Sequence, residues 1–120
     1  MEINQQPNTE FGMKRMGMVI KLRPECIKEY LELHASGNPG VRDLLTKYHL
    51  KNFSIFLHQI GNEWFEFGYY EYDGTNFSAD MAALENEPRN QYWLEICNPM
   101  QMPLEGEKGW AVMEQVYYNK

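Results

Sequence analysis

Apolar and polar side chains alternate from Arg15 to Leu22, with Met16, Met18, Ile20 and Leu22 on one side, and this period of two predicts a strand. Arg23-Pro24 closes it, and proline suits the first turn of a helix because the N–H it lacks would have had no partner there. From Pro24 to Ala35 the period lengthens: Ile27, Tyr30, Leu31 and His34 fall on one helical stripe. The run Ser36-Gly37-Asn38-Pro39-Gly40 cannot continue a helix, and Val41 to Tyr48 then reads as a second short one with Leu44, Leu45 and Tyr48 inward. Strands are predicted over Lys51 to Ile60 and Trp64 to Tyr72, joined as a hairpin by Gly61-Asn62. After Asp73-Gly74, Phe77 to Glu85 is predicted helical through Phe77, Met81 and Leu84, and Pro88 opens a further helix running to Cys97. Asn98 to Glu107 reads as a packed loop and Gly109 to Tyr118 as a last strand.

The order is strand, broken helix, strand, strand, broken helix, strand. This βαββαβ plan predicts an α+β, ferredoxin-like fold, an antiparallel sheet with helices on one face. The hairpin carries large apolar groups on both faces: Phe53, Ile55 and Leu57 oppose Phe56, and Phe65, Phe67 and Tyr69 oppose Trp64, Tyr70 and Tyr72. A sheet apolar on both faces needs two covers, so a second copy is expected against the face the helices leave open, as a symmetric homodimer. A flexible polar tail over residues 1–14 and a single domain over 15–120 are the expected organisation.

Charge narrows the choice of ligand. With 17 Asp and Glu against 11 Lys and Arg, and the basic residues scattered, the net charge of −6 argues against nucleic acid or an anionic membrane and favours a neutral or cationic small molecule. No apolar run approaches the roughly 20 residues that span a bilayer, and the polar start lacks a signal peptide's apolar region, so a cytoplasmic protein is expected. Cys26 and Cys97 stand alone and read as core thiols. Aromatic residues make up 14% of the chain and crowd between Phe53 and Trp93, more than a small core needs, which points to a lined pocket or an interface.

Two pairs are candidates for chemistry. Tyr30 and His34 lie one helical turn apart at a predicted helix end, where a phenol beside an imidazole can handle protons, or where the histidine merely interacts with the helix dipole. Tyr92-Trp93 offers a flat apolar wall for a sugar face or another ring, or ordinary core filling, since Trp93 shares a stripe with Ile96 and Cys97. Glu71 and Glu114, at predicted strand interiors, are either edge residues or members of a polar pocket. Neither His49 nor His58 stands at metal-ligand spacing from another ligand, and no phosphate loop, dinucleotide fingerprint or nucleophile elbow is present, so no metal and no cofactor are expected.

Taken in order, Tyr30-Leu-Glu-Leu-His34, Val41-Arg-Asp-Leu-Leu, Asn52-Phe-Ser-Ile-Phe-Leu57, Tyr92-Trp93, Pro99-Met-Gln-Met-Pro103 and Met113-Glu-Gln-Val-Tyr117 resemble the L-rhamnose mutarotase family from about Met16 to Tyr118. The resemblance implies a dimeric α+β barrel and cofactor-free interconversion of the α and β anomers of L-rhamnose. It implies that His34 is the proton donor, that Tyr30 binds the sugar, and that Tyr92 and Trp93 line the pocket. Three positions depart from the family pattern: Phe53 and Tyr92 stand where a tyrosine and a tryptophan are usual, and Asn38 where a tryptophan commonly precedes the proline. Each departure touches sugar contact rather than proton transfer, so L-fucose or another 6-deoxyhexose is an alternative substrate, with Phe53 and Trp93 against the apolar sugar face. Competing readings are a non-catalytic sugar-binding dimer and a monooxygenase of the dimeric-barrel type.

Overall fold

The structure, a computed structural model, describes residues 8–10 and 13–120. Its sheet has the antiparallel order β1-β2-β4-β3, from β1 (Asn8–Glu10), β2 (Met13–Leu22), β3 (Leu50–Ile60) and β4 (Glu63–Tyr72). β2 runs beside β4 from Lys14 opposite Tyr72 to Leu22 opposite Trp64. Its other edge is divided among three short strands: β1 beside Lys14 and Arg15, β5 (Gln101–Met102) beside Lys21 and Leu22, and β6 (Ala111–Met113) beside Gly17 to Val19. β6 thus neighbours β2, which neighbours β4, the placement that the βαββαβ plan requires of its last, first and third strands.

The helices are α1 (Ile27–Leu33), entered through a 3-10 turn at Pro24–Cys26, α2 (Arg42–Lys47), α3 (Phe77–Glu85) and α4 (Pro88–Cys97). They pack on one sheet face. Met16, Met18, Tyr70 and Tyr72 from β2 and β4 form one core cluster with Val41, Leu44, Leu50 and Leu84, while Leu22, Tyr30, Cys97 and Met100 form a second. Tyr72 is fully buried; its hydroxyl donates to Asp80 and accepts the Asn76 N–H at 3.0 Å, tying the end of β4 to the start of α3. Asn76 caps that helix, its side-chain oxygen accepting the Ala79 N–H at 3.1 Å.

Three elements differ from the sequence expectation. Within the 1–14 stretch, Asn8–Glu10 forms β1 and Met13 and Lys14 open β2, the rest lying outside the described residues. The Asn98 to Glu107 stretch contributes β5. The last strand, expected from Gly109 to Tyr118, covers only Ala111–Met113. Pairing explains the shortening: continuing past Met113 would require the Arg15 edge of β2, which Asn8 of β1 already holds.

The hairpin carries a bulge between Lys51 and Ser54, where Asn52 takes a left-handed backbone with φ of 53°. The extra residue lets Phe53 reach the helix-covered side, where it stacks on Tyr70 with ring centres 5.3 Å apart. On the opposite side Val19, Phe65 and Phe67 are half-buried and Phe56 is 64% exposed. Among the described residues that face carries no helix.

Candidate active site

His34 ends α1 as its C-cap, with its backbone N–H bonded to the Tyr30 carbonyl at 3.1 Å. The same carbonyl lies 2.8 Å from the ring Nδ1. A carbonyl can only accept, so Nδ1 carries the proton and Nε2 of the neutral ring is left with its lone pair. The imidazole lies flat on the Tyr30 ring, centres 4.1 Å apart at 23°, and the Trp93 edge meets it at 5.2 Å. Half-buried between them, the ring is neither turned to bulk water nor sealed in packing. Burial pushes its pKa below the ordinary 6.5, the bond to the Tyr30 carbonyl pulls it up, and the Arg42 charge pushes it down.

Arg42 closes the end of α1. Its guanidinium donates to the carbonyls of His34 at 3.0 Å, Ala35 at 3.1 Å and Ser36 at 3.2 Å, satisfying acceptors that a helix end leaves without partners. In the turn between α1 and α2, the Asn38 side chain accepts the Gly40 N–H at 3.2 Å. Gly40 has φ of 51°, and a Cβ there would stand 3.2 Å from Cη2 of Trp93. Trp93, from α4, packs against both core clusters and so joins the Phe53 and Tyr70 side of the sheet to the Tyr30 side. Leu57, inward on β3, borders the same cluster.

Tyr30 is 4% exposed and its hydroxyl is turned inward. Gln101 Nε2 lies 3.3 Å from that hydroxyl and 3.0 Å from Oε1 of Glu66, so one amide bridges phenol and carboxylate. Glu66 is 1% exposed on the helix-covered face of β4. Burial raises its pKa, partly offset by the nearby Tyr30 hydroxyl and the hydrogen bond from Gln101, and burial together with the Glu66 charge drives the Tyr30 phenol far above its ordinary range.

Of the residues proposed from sequence, the structure gathers Tyr30, His34 and Trp93 directly, with Phe53 packed into the cluster that Trp93 borders. Tyr92 is not brought in: it is 64% exposed, because neighbours on a helix point about 100° apart and Trp93 takes the inward stripe with Asn90 and Cys97. His58 is exposed on β3, and His49 is exposed with its Nδ1 3.7 Å from Asp73. Glu71 is half-buried on the helix-free face and accepts from the Tyr69 hydroxyl at 2.8 Å and Asn52 at 2.9 Å; with Arg15, Glu114 and Tyr118 it lines a concavity of about 700 Å³, away from His34. Glu66 and Gln101 were not anticipated. The strand alternation that turns Tyr70 and Tyr72 inward does the same for Glu66, which is the signal that could have found it.

Fold and cluster define a small α+β protein whose one sheet face holds a helix-end histidine, platformed on a buried tyrosine and edged by a tryptophan. A model of the L-rhamnose mutarotase family matches residues 15–119, and the chain belongs to that family, isomerases by name. It is similar to an L-rhamnose mutarotase of Lactiplantibacillus plantarum (strain ATCC BAA-793 / NCIMB 8826 / WCFS1), 34% identical over 55 residues, which are 46% of this chain and 53% of that relative. The match thus spans about half the length of that relative. Among solved structures, an L-rhamnose mutarotase from Formosa agariphila superposes with a TM-score of 0.66 at 20% identity, covering 89% of this chain and 99% of that one. A NIPSNAP family protein from Agrobacterium tumefaciens superposes with a TM-score of 0.65 at 16% identity, covering 94% and 96%. These two likenesses establish the fold.

Proposed function

We propose that the protein interconverts the α and β anomers of L-rhamnose or a related 6-deoxyhexose such as L-fucose, with His34 as the acid-base group. The observation that carries this is the imidazole fixed by its Nδ1–H on the Tyr30 carbonyl, which keeps Nε2 available as a base in a half-buried, aromatic setting. Nε2 takes the proton of the anomeric hydroxyl. The bond from the anomeric carbon to the ring oxygen then breaks as the carbonyl forms, and the imidazolium returns its proton to the ring oxygen, which lies on the same carbon. Rotation about the bond to the freed aldehyde, followed by the same steps in reverse, closes the ring on the other face. Protons and electrons balance without a redox partner. A positioned acid-base group typically gives about 10²–10⁴-fold, which suits a reaction that already proceeds slowly in water.

Tyr30 enters this scheme as the platform under the imidazole, since its hydroxyl is turned inward and accepts from Gln101 at 3.3 Å. Trp93 and Phe53 supply apolar surface for the sugar ring and its methyl group. The helix-free sheet face, with Phe56, Phe65 and Phe67, supports assembly as a homodimer through paired sheets. Two unpaired thiols suit a reducing, cytoplasmic setting. Among the described residues no helix is long and apolar enough to cross a membrane.

The test is NMR exchange spectroscopy between anomers of L-rhamnose, L-fucose and related aldoses, with wild type and His34→Ala and with circular dichroism confirming that the variant is folded. Wild type should accelerate exchange, and His34→Ala should return it to the uncatalysed rate. Ligand-dependent thermal stabilisation without exchange would establish a sugar-binding dimer instead.

A further inference from the structure

Four phenols of the sheet and helices are held by hydrogen bonds. The Tyr72 hydroxyl engages Asp80 and the Asn76 N–H, that of Tyr30 accepts from Gln101, Tyr48 donates to Glu87 and Tyr69 donates to Glu71. Tyr70 differs. Only 8% of it is exposed, inward on β4 among Met16, Met18, Val41 and Leu44, yet its hydroxyl has no hydrogen-bond partner among the described residues. Nor is that oxygen sealed in the core, since the fully buried side-chain nitrogens and oxygens without a partner are, among the described residues, Arg15 Nη1 and Glu66 Oε2. The ring is packed and its polar end is open. A phenylalanine would fill the same space without a polar atom to desolvate, so packing alone gives no reason for a tyrosine here.

The opening lies on the side of the candidate site. A strand side chain stands roughly perpendicular to its sheet, so Tyr70 reaches from β4 into the helix layer. Its ring stacks on Phe53, centres 5.3 Å apart at 20°, and Trp93 packs against the same cluster while its edge meets His34 at 5.2 Å. Burial pushes the Tyr70 phenol up to about 12, so near neutral pH it keeps its proton and can donate it in a hydrogen bond.

We propose that Tyr70 is a substrate-binding residue whose hydroxyl donates a hydrogen bond to one hydroxyl oxygen of a pyranose lying against Phe53 and Trp93. The proposal rests on the sugar reading of the His34 site and names the group that reads the ring from the sheet side. Flat apolar walls fix the plane of a sugar but leave it free to turn within that plane; placed polar groups are what select one orientation. With His34 at a helix end and Tyr70 on the sheet, the ring is held at two points. The second point lets the site distinguish sugars that differ in a single hydroxyl. Because the phenol stays protonated throughout, its bond is made equally in the bound ground state and the transition state, and its loss is felt in KM rather than kcat.

The test compares wild type with Tyr70→Phe, which keeps the ring on Phe53. Calorimetric titration would be run with L-rhamnose, L-fucose and, for whichever binds more tightly, the deoxy analogues lacking the hydroxyl at C2, C3 or C4. Tyr70→Phe should unfold at or slightly above the wild-type Tm and bind the sugar about threefold to tenfold more weakly, the contribution of one neutral hydrogen bond. KM for anomer exchange should rise by the same factor with kcat unchanged. One deoxy analogue should bind wild type more weakly than the parent sugar and bind Tyr70→Phe as well as the parent does, because the same bond cannot be lost twice. An unaltered affinity in the folded variant overturns the proposal, as does a penalty for every deoxy analogue that is the same in both proteins, and as does a wild type that binds none of these sugars. Affinity that depends on Tyr70 without anomer exchange would uphold the contact and defeat the mutarotase reading; exchange that is indifferent to Tyr70→Phe would do the reverse.

Discussion

Replacing Gly40 with alanine should damage both stability and chemistry, and a second glycine separates the two effects. Gly40 occupies φ of 51°, a region that costs an L-residue about 1–2 kcal/mol. The smaller entropy of the unfolded alanine chain returns about 0.4–1 kcal/mol. A net loss of about 1 kcal/mol follows, which for a domain of this size lowers Tm by about 4 °C. The new methyl would also stand 3.2 Å from Cη2 and 3.4 Å from Cζ3 of Trp93, so the indole must shift by a few tenths of an ångström. Because the indole edge confines His34 at 5.2 Å, the displacement reaches the imidazole. Misplacement by about 1 Å can cost about 10²-fold in rate, so a shift of this size should slow anomer exchange by about threefold to tenfold. Gly61 provides the comparison, with φ of 63° and nothing within 4 Å of where an alanine Cβ would stand. Gly61→Ala should lower Tm and leave exchange unchanged. Thermal unfolding and NMR exchange on both variants decide the matter; Gly40→Ala exchanging at the wild-type rate would refute the claim that the turn glycine holds Trp93 against His34.

Two further outcomes follow from the same contacts. Since the His34 pKa is depressed by folding, its contribution to stability is fully present above the unfolded value near 6.5 and is lost as pH falls through the folded value; Glu66, raised by folding, works in the opposite sense, its contribution being present below about 4.5 and lost as pH rises. The Tm of wild type should therefore fall more steeply than that of His34→Ala between pH 7 and 5, and parallel curves would show that the histidine titrates as it does when unfolded. Phe56→Glu places a charge among the exposed apolar groups of the helix-free sheet face and should convert the proposed homodimer to monomer in analytical ultracentrifugation; an unchanged sedimentation coefficient would move the interface elsewhere.

Local pattern carried most of the fold. The period of two at Met16, Met18, Ile20 and Leu22, the two-residue turn at Gly61-Asn62 and the proline starts of the helices are short-range signals, and the matching elements formed where they predicted. What local pattern could not provide was competition for an edge. Beyond Met113 the chain still holds the strand formers Val116, Tyr117 and Tyr118, yet β1 already pairs with Arg15, so the last strand ends early for a reason written about a hundred residues away. The same limit applies to Gln101, whose strand exists because Lys21 and Leu22 have a vacant side.

The site was legible in proportion to its dependence on one helix. Tyr30 and His34 meet because they are a turn apart, which needs no tertiary information. Helical geometry also holds the reason that Tyr92 and Trp93, adjacent in sequence, separate into an exposed ring and an inward one. Glu66 is different in kind. Alternation along β4 shows only that a carboxyl group points inward; that it meets an amide which also holds a phenol requires α1 and β5 to converge beside it. A buried acid with one unpaired oxygen is unfavourable packing when viewed from β4 alone, and the amide that holds its other oxygen comes from a strand formed far along the chain, so no local pattern on β4 could announce the contact.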